Sequence, residues 1–155
     1  MDVVLICRPS EISRATREGY KTVYDSEIKD ILLLTTAVTG GTYLSYIKDG
    51  IKRADGRRVG MYFERLLHEF PFPSPDGEGI AISKERFNSL KTNVFYSWEL
   101  ETNYFTCKTE KGYSMVLFDD KRSFNEKLKA AQKLGITELF VKYDDRGLLD
   151  FEDIT

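Results

Sequence analysis

Apolar positions in this chain fall into short unbroken runs, as in buried strands, and into stretches with a helical period. The clearest block covers residues 113–143. Val116, Leu117 and Phe118, preceded by Tyr113 and Met115, read as a strand buried on both faces. Ser123 and Glu126 then have the Ser-x-x-Glu spacing of a capping box at a helix start. Phe124, Leu128, Ala131 and Leu134 follow at three- and four-residue steps as one apolar stripe, with Lys127, Lys129 and Lys133 directed outward. Gly135 supplies the left-handed residue that ends such a helix. Residues 136–143 (ITELFVKY) return to a strand pattern. Strand, helix, strand in that order predicts a parallel pair joined by a right-handed crossover.

The N-terminus repeats the pattern on a smaller scale. VVLICR (3–8) is a buried-strand run that Pro9 stops, and Ser10 caps a short polar helix over residues 11–18. Gly19 closes that helix, and YKTVY (20–24) is a second strand. Residues 27–38 (EIKDILLLTTAV) are apolar nearly all round. Their length favours a buried helix, with a buried strand as the alternative for 31–38. Thr42 caps a helix carrying Leu44, Ile47 and Ile51. Val59, Tyr62, Phe63, Leu66, Leu67 and Phe70 lie at helical spacing on one face, although Gly60 weakens its first turn. The middle third therefore reads as a helical insertion. FPFPSPDGEG (70–79) is an exposed loop by its prolines and glycines. Ser83 caps a short helix through Leu90, and residues 93–99, 104–109 and 113–118 form an antiparallel meander. The expectation is a single α/β domain over residues 1–155: a mixed sheet of strand–helix–strand units, an antiparallel meander and a helical insertion.

Composition narrows the class. Of 155 residues, 41% are hydrophobic and 31% charged, which is globular rather than disordered. The net charge of −2 argues against whole-surface affinity for nucleic acid or anionic lipid. Cys7 and Cys107 lie far apart in apolar surroundings and read as buried thiols. Met1 leads directly into VVLIC and no apolar run is long enough to span a bilayer, so the expectation is a soluble, cytoplasmic chain without membrane contact.

Two constellations carry candidate chemistry. Asp119-Asp120 and Asp144-Asp145 each follow a predicted strand. If those strands are parallel neighbours, four carboxylates share one sheet edge and can hold Mg²⁺ for phosphate chemistry. The bland reading is that they are turn and helix-start residues. Lys48, Lys52, Arg53, Arg57 and Arg58, with Tyr43 and Tyr46 before them and Tyr62 after, can neutralise phosphates and stack bases, or meet an acidic protein surface. His68 is the only histidine, and no G-x-S-x-G, Walker, G-x-G-x-x-G or C-x-x-C motif is present. By elimination the leading reading is a non-enzymatic regulatory or binding domain with a protein partner, nucleic acid being possible through Lys48–Arg58. The alternatives are a Mg²⁺-dependent phosphate-processing enzyme and a carbohydrate-related domain.

That last alternative comes from a resemblance. The run W-E-L-E-x-x-Y-F-x-C from Trp98, the segment M-V-L-F-D-D-K-R-S at residues 115–123 and K-L-K-A-A-Q-K-L-G-I at 127–136 are similar to the last part of glycoside hydrolase family 18 barrels of the spore-germination type. The resemblance covers residues 93–143 and implies a carbohydrate-related, partial or degenerate barrel. The family's acidic D-x-x-D-x-D-x-E strand is not in this sequence, nor is a tryptophan on the strand at 139–143, so no catalytic residue carries over. A complete (β/α)₈ barrel also takes about 250 residues.

Overall fold

The computed structural model describes residues 1–155 except 74–76, 153 and 155. In chain order the elements are β1 (Asp2–Cys7), α1 (Ile12–Arg17), β2 (Lys21–Tyr24), β3 (Leu32–Thr35), α2 (Tyr43–Ala54), β4 (Val59–Tyr62), β5 (Leu67–Phe72), β6 (Ile80–Ala81), α3 (Lys84–Leu90), β7 (Phe95–Ser97), β8 (Thr102–Thr109), β9 (Gly112–Phe118), α4 (Lys121–Lys133) and β10 (Glu138–Lys142). Short 3₁₀ segments occupy Pro9–Glu11, Asp25–Asp30 and Tyr143–Asp150. Among the described residues no helix is long and apolar enough to cross a membrane.

The strands form two sheets. The first is wholly parallel, in the order β2-β1-β10-β4-β3. Helix α1 carries β1 to β2, α2 carries β3 to β4, and α4 leads into β10 beside β4. Each of these three helical crossovers moves the chain one place in the same direction across the sheet, and the β2–β3 connection, which carries no α-helix, joins the two edge strands. Right-handed crossovers that never reverse direction put all their helices on one face. Leu5, Cys7, Leu34, Met61, Leu139 and Val141 on that face pack against Ala15 of α1, Tyr43 and Ile47 of α2, and Phe124 and Ala131 of α4. The alternate residues Val4, Ile6, Val23 and Phe140 close the opposite face with Ile28 and Ile31 from the β2–β3 connection. Winding in one sense, with helices outside and side chains filling the inside, is the plan of a (β/α) barrel rather than of a doubly wound sheet. Here it is limited to five strands, with β2 and β3 at the edges.

The second sheet is antiparallel, in the order β6-β5-β9-β8-β7, and is inserted between β4 and α4. Helix α3 covers one face, where Phe87 packs among Phe105, Cys107, Val116 and Phe118, with the Phe87 and Phe118 ring centroids 4.8 Å apart. Among the described residues no helix covers the opposite face. Cys7 and Cys107 are buried free thiols in the two separate cores.

The α/β class, the β1–α1–β2 unit, α2 with its Thr42 cap, α3 with its Ser83 cap and the β7–β8–β9 meander match the sequence expectations. Four expectations are corrected. Residues 31–38 hold strand β3, because an apolar run buried on both faces of a parallel sheet shows no alternation. The helix expected over 59–70 is β4 and β5 joined by four residues, so the helical insertion reduces to α2. The expected loop at 70–79 begins within β5, and its residues 74–76 lie outside the described residues. Most consequentially, β9 and β10 sit in different sheets and are not a parallel pair.

Candidate functional site

Parallel strands deliver their carboxyl ends to one edge, and the residues just beyond those ends converge there. Arg8 follows β1, Asp25 follows β2, Tyr62 ends β4, Lys142 ends β10, and Tyr143 and Asp144 come next. Together they line a cleft of about 290 Å³ over an apolar floor of Ile6, Ile28 and Leu33, with Glu11 at one wall. Concave, apolar-floored sites with a few convergent polar groups are the usual form of a small-ligand site.

The walls are held in place. Arg8 pairs with Glu11 at 2.9 Å while its backbone N–H donates to the same carboxylate at 2.8 Å. These donors hold the Glu11 carboxyl below its ordinary range and keep it ionised. Arg146 lies 3.9 Å from the centroid of the Tyr143 ring and donates to the Tyr143 carbonyl at 2.8 Å. Arg146 is in turn tied to Glu18 at 2.9 Å, so Tyr143 has a fixed orientation. A hydrogen bond to Tyr62 raises the Lys142 ammonium above its ordinary value. Two tyrosines, two cations and three carboxylates thus surround one cleft, which suits a ligand bearing many hydroxyls rather than one strong charge.

The sequence-predicted residues divide between this site and others. Asp144 and Tyr62 line the cleft, and Asp145 is next to it in the chain. Asp119 and Asp120 end a strand of the other sheet. Asp119 is 1% exposed, and its carboxylate accepts from Lys127 Nζ at 2.6 Å, Ser123 Oγ at 2.7 Å and Thr102 Oγ1 at 3.1 Å. Lys127 also donates to the Thr36 carbonyl at 2.7 Å, which ties α4 to the end of β3. Burial raises the Asp119 carboxyl and lowers the Lys127 ammonium, and their mutual attraction opposes both shifts. This buried cluster is a seam between the two sheets. It corrects the expectation that Lys127 faces outward: position 127 falls three residues after Phe124 and four before Ala131, inside the buried stripe.

Asp120 is the N-cap of α4. Its side chain accepts from Ser123 N at 2.9 Å and Ser123 Oγ accepts from Asp120 N at 3.1 Å, so the capping box is Asp120–Ser123 and not Ser123–Glu126. Among the described residues no three His, Cys, Asp or Glu side chains gather as a metal site. Lys48, Lys52 and Arg53 lie along the exposed face of α2, Arg57 follows it, and Arg58 is bound to Glu138 at the amino edge of the parallel sheet. The basic stretch and Tyr62 therefore lie at opposite edges of that sheet. Half-buried His68 lies in β5, where its Nδ1 accepts from the Leu67 backbone N–H at 3.2 Å. Arg8, Glu11, Asp25, Lys142 and Tyr143 carry no sequence motif. Their signal is positional: each closely follows or ends a parallel strand.

No protein-family model and no curated protein sequence matches the chain. Solved structures do. A Bacillus subtilis protein named as a sporulation-specific glycosylase, YdhD, superposes with a TM-score of 0.54 at 13% identity, covering 82% of this chain and 55% of its own. The spore cortex-lytic enzyme SleL of Bacillus cereus gives 0.54 at 17% identity, covering 72% and 31%. The C-terminal domain of a Desulfitobacterium hafniense protein named as a chitinase gives 0.50 at 19% identity, covering 85% and 52%. The chain spans about half of these proteins or less. The resemblance to glycoside hydrolase barrels is thus a resemblance of fold, and it extends well beyond residues 93–143.

Proposed function

We propose that this chain is a carbohydrate-binding domain built on part of a glycoside-hydrolase-like fold, and that it holds a saccharide in the carboxyl-edge cleft without cleaving it. The observation that carries the reading is the cleft itself, where Tyr62 and Tyr143 face a ring of donors and acceptors at the carboxyl edge of the parallel sheet. That edge is where barrel enzymes place their ligands. The structural neighbours, named as a glycosylase, a cortex-lytic enzyme and a chitinase, support the ligand class. Glu11, one of the three carboxylates in the cleft, supports binding without hydrolysis. Glycosidic cleavage needs one carboxylic acid kept protonated to meet the leaving oxygen, and Arg8 holds Glu11 ionised instead.

Isothermal titration with chitin tetrasaccharide and with soluble peptidoglycan glycan fragments tests this, alongside an assay for new reducing ends. The expected result is saturable binding that Tyr62→Ala and Lys142→Ala each weaken by about tenfold, with no new reducing ends. No saturable heat with any saccharide sinks the binding reading, and released reducing ends overturn its non-catalytic part.

A further inference from the structure

At the turn between β7 and β8, Trp98 leaves 71% of its surface open to solvent. The ring is nevertheless fixed. It meets Tyr96 edge-on with centroids 4.8 Å apart. Tyr96 donates its hydroxyl hydrogen to Glu101, and the Arg122 guanidinium lies 5.6 Å from the Tyr96 ring centroid. The backbone of the same turn is tied to α2, because Tyr43 N–H donates to the Glu99 carbonyl at 2.8 Å. An aromatic held in one orientation loses little freedom when a ligand stacks on it.

Two hollows meet at this ring. One, of about 470 Å³, lies against α2 and α4. The other, of about 380 Å³, lies on the sheet face that α3 does not cover, against Tyr104, Met115 and Leu117. Both are within the size range of small-ligand sites. Glu99, Glu101, Glu126, Lys129 and Lys133 line the first, so acceptors and donors are mixed, with three carboxylates against two ammonium groups. A polyanion gains nothing from such a rim. A neutral ring with hydroxyl edges and an apolar C–H face uses all of it, placing the face on the indole and the hydroxyls toward Glu99, Glu126 and the lysines. Two hollows sharing one aromatic wall fit a ligand made of repeating rings.

We propose that Trp98 is the centre of a second saccharide site, which takes adjoining sugars of a neutral oligosaccharide in the two hollows. It rests on the reading of the chain as saccharide-binding, but it uses none of the residues of the carboxyl-edge cleft.

Trp98 is the sole tryptophan, so its fluorescence reports on this site. Titration with cellotetraose and chitin tetrasaccharide should give a saturable blue shift that is unchanged in Tyr62→Ala, which weakens the cleft. Calorimetry should show two sites falling to one in Trp98→Ala, with the affinity of the lost site reduced by about tenfold or more. Saccharide binding that Tyr62→Ala weakens by about tenfold, with Trp98 emission unmoved throughout, overturns the second site and leaves the cleft reading standing. Absence of both heat and shift in the unaltered chain defeats both. A blue shift that depends on protein concentration alone, with a doubled mass in light scattering, assigns the ridge to a second copy of the chain and also overturns the proposal.

Discussion

In the parallel sheet, α1, α2 and α4 cover one face, and Phe140, Val4, Ile6 and Val23 fill the other, so both faces are dry. In the antiparallel sheet α3 covers one face only, and Phe72, Phe95, Trp98 and Tyr113, near the other or along the edge, are each more than half exposed. The difference follows from how each is wound. Crossover helices come with parallel pairing, whereas hairpins bring no cover of their own. The consequence is a division of labour. The parallel sheet can offer ligands only its strand ends, which is where the cleft lies. The antiparallel sheet can offer a face, which is where one of the two Trp98 hollows lies, the other being against α2 and α4. The seam of Asp119, Lys127, Ser123, Thr102 and Thr36 joins the two.

That seam gives the largest expected effect. Replacing Lys127 with Met leaves the Asp119 carboxylate buried with only two hydroxyl donors. Removing one partner of a buried pair costs about 3–5 kcal/mol. Restoring neutrality in Lys127→Met/Asp119→Asn should recover most of that loss. Urea denaturation followed by Trp98 emission for the antiparallel sheet and by amide exchange in β1 and β10 for the parallel one checks it. Coincident transitions in the unaltered protein, splitting into two in Lys127→Met, are the expected result. A loss below about 1 kcal/mol contradicts the seam's role.

Close approach to glycine separates the sheets next. A Cβ on Gly60 would lie 2.3 Å from the Phe140 ring, which is fully buried and has nowhere to turn. Gly60→Ala should therefore cost about 1–3 kcal/mol. A Cβ on Gly79 would meet the Phe70 ring at 2.5 Å, but Phe70 is only half-buried and can swing toward solvent. Gly79→Ala should cost less than about 1 kcal/mol. Thermal melts of the two variants decide it, and equal losses would mean that the open face is as tightly packed as the closed one.

The same contrast explains which elements are legible in the sequence. Those with a clear period or cap, such as α2 behind Thr42, α3 behind Ser83 and the meander of 93–118, are readable because their determinants are local. Residues 59–70 are not. Val59 and Tyr62 belong to a parallel strand buried on both faces, and Phe63 and Leu66 fill the connection to β5. Their spacing imitates a helix, and Gly60, kept small by Phe140, is the one local sign against it. Nothing local distinguishes β9 as antiparallel from β9 as the partner of β10, so the grouping of Asp119 with Asp144 fails with that assignment. Tyr62 and Asp144 stand out in the sequence for other reasons, yet they meet in the cleft. The protein-partner reading rests on missing motifs, whereas the carbohydrate reading rests on residues 93–143 and on the fold.

Acid titration gives the smallest effect and again differs between the sheets. In the parallel sheet, hydrogen bonds from Arg58 hold Glu138 below its ordinary value of 4.5. In the antiparallel sheet, Arg86 and then Ser114 do the same for Glu69. A carboxyl lowered in the folded state stabilises above the unfolded value and loses that contribution as pH falls through the folded one. Both sheets should therefore weaken below about pH 4.5, by less than about 1 kcal/mol per pair because each arginine is well exposed. The antiparallel sheet alone has an earlier step. Burial lowers the His68 imidazole from 6.5, with Glu64 opposing, so the folded chain favours the neutral ring. Its contribution is fully present above pH 6.5 and declines as pH falls below it, because the unfolded chain takes up the proton first. Between about pH 6 and 5, amide exchange should rise in β5 and β9 before it rises in β1 and β10, and His68→Gln should remove that early step while leaving the later one. If β1 and β10 loosen equally over the same interval, the two sheets respond to acid as one unit and His68 does not mark the antiparallel half.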